Sequence, residues 1–106
     1  MKTPPNKCLI IKKEWLDKIF DEQKVWEMRT TKTNIRGLIG LIESGSGLIV
    51  GEVEIIGCSV EPIPQHEDFI FLHKVEDLSL LEKWRFAWYL KGAKRYAEPI
   101  PYKHPK

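Results

Sequence analysis

The stretch RGLIGLIESGSGLIVGEVEIIGCSVEP, residues 36–62, decides the class of fold. Two runs rich in isoleucine and leucine flank Ser44-Gly45-Ser46-Gly47, the composition of a tight hairpin turn. Strand therefore follows strand directly, which disfavours a layered α/β fold built on helical crossovers. The second run is long for a globular sheet, and Gly51 and Gly57 fall inside it, where strands bend or bulge. Long bent strands with glycines are what small barrels use at their corners. Pro62-Ile63-Pro64 stops the run.

Upstream, KCLIIK reads as a short strand bounded by Pro4-Pro5 and by charge. KEWLDKIFDEQ sets Trp15, Leu16, Ile19 and Phe20 at helical spacing. That predicts an amphipathic helix of about two turns, with Trp15 in the core. KVWEMRT returns to a period of two, with Val25, Glu27 and Arg29 on one face and Lys24, Trp26 and Met28 on the other. Each face carries charge, so one of these groups is expected in a partly covered cleft. TTKTN has loop composition.

Downstream, Phe69-Ile70-Phe71-Leu72 suits either a buried strand or a helical turn. The spacing of Leu78, Leu81 and Trp84 predicts a short helix capped by Asp77. FAWYLKGAKRY begins with strand formers, and AEPIPYKHPK is extended, because proline is excluded from helix interiors and central ladders. The parts add up to a mixed β-barrel with short helices, an α+β fold of about five or six strands. Residues 1–106 are expected to form a single domain.

Composition bounds the setting. No apolar run reaches the ~20 residues of a membrane span, and MKTPPNK lacks the apolar core of a secretory signal, so a cytoplasmic protein is expected. Cys8 and Cys58 sit in apolar segments without metal-ligand spacing and read as two reduced, buried thiols. The net charge of +2 conceals an asymmetry. Residues 83–106 hold seven cations against Glu98 alone, interleaved with Trp84, Phe86, Trp88, Tyr89, Tyr96 and Tyr102. Cations among aromatics suit a polyanion whose bases can stack. A basic C-terminal strand with ordinary core aromatics accounts for the same residues.

Lys24, Glu27 and Arg29 with the trailing Arg36-Gly37 form the pattern Lys-x-x-Glu-x-Arg followed by Arg-Gly. AWYLKGAKRYAEPIPYKHPK adds an aromatic strand, a basic pair and Pro-Ile-Pro-Tyr. In these features, and in GEVEIIGC, the chain resembles the ASCH domain family over essentially its whole length. The resemblance implies a PUA-like pseudobarrel with a cleft beside the first helix and RNA bound there. It also implies short helices over residues 67–73 and 78–84 and a strand from near Phe86. Relatives that deacylate modified cytidine carry Thr at the position of Glu27, and family members continue beyond YKHPK into a closing aromatic strand. The first departure argues for grip over cleavage. The second leaves two alternatives for the pseudobarrel: a chain cut short of its closing strand, or a barrel closed in a different way.

On this reading the RNA, nucleotide or modified-nucleoside site comprises Lys24, Trp26, Glu27, Arg29, Arg36, Gly37, Trp88, Arg95 and Tyr102. The arginines supply forks for phosphate, and Trp26 and Trp88 supply faces for a base. The plain alternative is an exposed Glu27–Arg29 ion pair worth under ~1 kcal/mol. An enzymatic alternative is a small amidohydrolase acting on N4-acylated cytidine or a related amide, or a ribonuclease. Lys24 and Glu27 would then be catalytic, with Glu76 and Glu82 as further candidate carboxylates. His66 and His73 lack the partners of a metal site, and His73 reads as a cap or surface residue. No metal or cofactor is expected, and the chain is expected to be a monomer or weak homodimer. A third reading is an interaction domain whose basic tail meets an acidic protein.

Overall fold

A computed structural model of the chain describes residues 5–102. The start of the N-terminal stretch and the cations Lys103 and Lys106, with the expected extension through KHPK, lie outside the described residues. The hairpin at Ser44–Gly47 forms as its composition requires, with Gly45 and Gly47 at φ of 82° and 68°. It joins β3 (Gly37–Glu43) to β4 (Leu48–Cys58). Before it come β1 (Cys8–Ile11), α1 (Lys13–Asp21) and β2 (Trp26–Arg29). After it a 3-10 turn, Glu67–Phe69, runs into α2 (Ile70–His73). A second 3-10 turn, Leu78–Glu82, precedes β5 (Phe86–Pro101). Phe69–Leu72 is thus helical, and Asp77 caps its turn by accepting from the Ser79 N–H.

The five strands form one mixed sheet in the order β1-β3-β4-β5-β2, with β1 parallel to β3 and every other pairing antiparallel. The sheet curls into a half-barrel, and its curvature follows the glycines. Pairing of β4 with β5 slips between Ile49 and Gly51, between Glu52 and Glu54, and between Ile55 and Gly57. Gly92, at φ 66°, occupies the bulge of β5 facing the middle slip. β1 and β2 stand at the two ends of the strand order, so the half-barrel opens between them.

Inside the curve, Ile39 and Leu41 of β3 and Val53 and Ile55 of β4 meet Leu16 and Ile19 of α1. α1 is seated by one close approach: its Phe20 ring lies where a Cβ on Gly51 would stand. A second cluster, Met28, Val75, Leu81 and Ala87, forms where the segment after β4 folds over β2 and the start of β5. The extended reading of AEPIP is realised as ladder, since β5 pairs with β4 as far as Pro101. Proline fits there because β2 reaches only from Phe86 to Tyr89, leaving the rest of that edge unpaired by β2. Cys8 and Cys58 are free and half-buried rather than fully buried, and burial raises the Cys8 thiol pKa. Among the described residues no helix is long and apolar enough to cross a membrane.

Candidate functional site

The mouth of the half-barrel holds a cleft of about 310 Å³. Its walls come from both edges of the sheet: Ile10 and Ile11 of β1 face Glu27, Met28 and Arg29 of β2. Trp15 of α1 and Trp84 close the sides, and Lys24 lies at the base. The two indoles meet edge to face, with ring centres 5.7 Å apart.

Strand parity alone sets Lys24 and Glu27 on opposite faces, and the structure shows how the chain overrides it. α1 ends at Asp21 with Glu22 as its C-cap, and Gln23 then adopts a left-handed conformation at φ 57°. The turn is tied down by Lys24 N–H donating to the Lys18 carbonyl and Val25 N–H donating to that of Leu72. β2 begins only at Trp26, so Lys24 precedes the pleat rather than belonging to it. Its Nζ consequently lies 3.8 Å from Glu27 Oε1.

That ammonium is 1% exposed. It donates to the Trp26 carbonyl at 2.8 Å and to the His73 carbonyl, and lies 5.2 Å from the centre of the Trp15 ring. Burial lowers its pKa from 10.5 to about 8, while the Glu27 carboxylate works the other way. Burial likewise raises the pKa of Glu27, against the pull of Lys24 and Arg29. Glu27 is not the exposed partner of a surface pair: its side chain is 7% exposed, and Arg29 Nη1 reaches Oε2 at 3.4 Å. Both contacts to this carboxylate are long, which leaves acceptor capacity directed at the cleft. Arg29 spans the boundary, half-buried against the Trp88 ring at 5.4 Å and lining the opening.

Other expected site residues lie elsewhere. Trp88 is 8% exposed and packs in the core, its Nε1 donating to the Thr31 carbonyl. Trp26 packs on Phe69 and Tyr89 outside the cleft lining. Arg36 binds the Thr33 and Ile35 carbonyls of its own loop, and Gly37 starts β3. Arg95 is held by Asp17 and Asp21 of α1 and covers Phe20, so its charge is already answered. Tyr102 packs with Ile42, Ile49 and Tyr96 and donates its N–H to the Gly47 carbonyl. Glu76 and Glu82 are exposed and do not line the cleft.

Two corrections concern aromatic and imidazole groups. Trp15 packs partly against the core, as helical spacing indicates, but α1 stands at the opening, so the ring also lines the cleft. His73 is fully buried rather than at the surface. Its Nδ1 accepts from the Val75 N–H, and its Nε2 has no hydrogen-bond partner among the described residues. Desolvation, with Lys24 close by, lowers its pKa to about 4. Lys12, Val75 and the hydroxyl-bearing Thr30 and Ser44 complete the lining and were not signalled by any motif.

The ASCH domain family model matches residues 9–103. The chain belongs to the ASCH domain family. No curated protein matches it. The strand order and the opening between β1 and β2 are thus the frame of an ASCH domain, a PUA-like module. The Lys24, Glu27 and Arg29 triplet of this ASCH domain is gathered at one cleft, whereas Arg36 and Gly37 of the same motif stand outside its lining. Among the described residues no group of three or more His, Cys, Asp or Glu could hold a metal ion.

Proposed function

We propose that this ASCH domain binds RNA by drawing one unstacked base of a single strand into the cleft between β1 and β2. The observation that carries this reading is the buried Lys24–Glu27 pair at the base of an aromatic-walled opening, with the half-buried Arg29 at its boundary. A volume of about 310 Å³ suits one base or nucleoside and excludes a duplex. Trp15 and Trp84 offer ring surfaces, Glu27 accepts from exocyclic or ring N–H groups, and Arg29 reaches out toward phosphate. A free nucleotide or modified nucleoside uses the same groups. The unpaired cysteines suit a reducing compartment such as the cytoplasm.

The opposed displacements of Lys24 and Glu27 favour one second reading, hydrolysis of an N4-acylated cytidine or similar amide. Binding is preferred because the Lys24 ammonium is already committed to two carbonyls, which argues against its service as a nucleophile. Glu27 also replaces the hydroxyl that hydrolytic relatives present. Fluorescence anisotropy with a short labelled single strand at low salt tests the proposal. Binding is expected, weakened about tenfold by Arg29→Ala on loss of a charge-assisted contact. Absence of binding at low salt refutes the proposal, and Lys24-dependent release of acetate from N4-acetylcytidine establishes the second reading.

A further inference from the structure

The basic C-terminal strand looks from composition like the surface that tracks a polyanion, yet its cations differ in their surroundings. Arg95 is paired with two carboxylates of α1. Lys94 and Lys91 stand opposite Glu52 and Glu54 in the β4–β5 ladder. At the other end of β5, next to the cleft, the cations lie over aromatic rings and have no carboxylate opposite them in the ladder. Arg29 faces Phe86 in register. Phe86 and Trp88, two apart, share one face of the strand. Arg29 covers Trp88 at 5.4 Å, while Lys32 and Arg85 bracket Phe86 at 5.4 Å and 5.9 Å. Among the described residues, no carboxylate forms an ion pair with Lys32, Arg36 or Arg85. The loop from Thr30 to Arg36 contains no acid at all and is pinned to β5 through the Trp88 indole.

We infer that the phosphate backbone of a bound single strand follows the stripe Arg85–Lys32–Arg29 over Phe86 and Trp88 into the cleft, with Arg36 beside it on the same loop, and that the cations of residues 91–95 take no part. This deepens the proposed function and rests on it. Cations held over aromatic rings are kept at fixed positions and give a strand charge without sequence preference. The stripe meets the cleft at Arg29, which belongs to both. A nucleotide whose base enters the cleft therefore has its neighbouring phosphates beside Lys32 and Arg85.

Salt dependence separates the two ends of β5. For a single strand, each neutralised phosphate contributes about 0.7 to the slope of log affinity against log salt. Binding of a short oligouridylate is measured over a salt series for the full chain, Lys32→Ala/Arg85→Ala and Lys91→Ala/Lys94→Ala. The first double variant is expected to lower the slope by about 1.4 and weaken binding at low salt, while the second leaves both unchanged. All these side chains are exposed, so the fold is retained in both variants, as circular dichroism will verify. If the full chain binds and only the Lys91/Lys94 pair changes the slope, the stripe is wrong while the cleft reading survives. If the full chain binds no RNA at low salt, both fall. An oligoglutamate of equal charge that binds equally well, with the same loss in Lys32→Ala/Arg85→Ala, overturns the assignment in favour of an acidic protein segment.

Discussion

Burial of Lys24 has a pH signature that can be measured. Folding moves an ammonium whose ordinary pKa is 10.5 into a site where it is about 8. At about 1.4 kcal/mol for each pH unit, the charged form opposes folding by roughly 3 kcal/mol at neutral pH. The unfolded chain holds this proton more tightly, so the opposition fades and stability rises as the pH climbs from about 8 towards 10.5. Between about pH 7.5 and 10 the gain is about 2 kcal/mol. The window ends there because Tyr96, its pKa raised to about 12 by burial and by its bond to Glu52, then acts with the opposite sign. Urea unfolding at a series of pH values, for the parent chain and Lys24→Met, isolates the contribution. The parent is expected to gain about 2 kcal/mol relative to the variant across the window. A carbon-13 titration of the lysine side chains should show one midpoint near 8. Parallel stability curves, with every lysine titrating near 10.5, would refute the claim that this charge is buried at the base of the cleft.

Acid should act through His73. Its pKa lies near 4 when folded against 6.5 when free, so the unfolded chain takes up the proton first, and stability present above 6.5 is lost as the pH falls towards 4. The loss is about 3 kcal/mol, and His73→Asn, which keeps an acceptor for the Val75 N–H, should flatten a urea-midpoint profile by that amount. Gly51→Val would drive a side chain into the Phe20 ring and the Lys94 carbonyl. A fall of at least about 2 kcal/mol in thermal unfolding, with α1 loosened from the sheet, is expected.

What the sequence made legible was what local patterning controls. The Ser44–Gly47 turn, the apolar face of α1 and the bends at Gly51 and Gly57 all follow from residue type and period. The site was less legible because it depends on exceptions. A left-handed Gln23 carries no composition signal, yet it turns a parity violation into the Lys24–Glu27 contact. Trp15 has the spacing of a core residue, and only the opening between β1 and β2, a property of the whole sheet, makes it a cleft wall. Arg95 had the charge expected of a phosphate ligand, but its carboxylate partners come from a helix more than seventy residues earlier in the chain. Counting charge along a chain does not reveal which charges are already answered in space.

The most direct test of the account is a nitrogen-15 NMR titration of the protein with a short single-stranded RNA. The account predicts shifts at the Trp15 and Trp84 indole N–H groups and at the backbone amides of Lys24, Glu27 and Arg29. Shifts confined to the Lys91–Arg95 segment of β5, with both indoles unmoved, would contradict it.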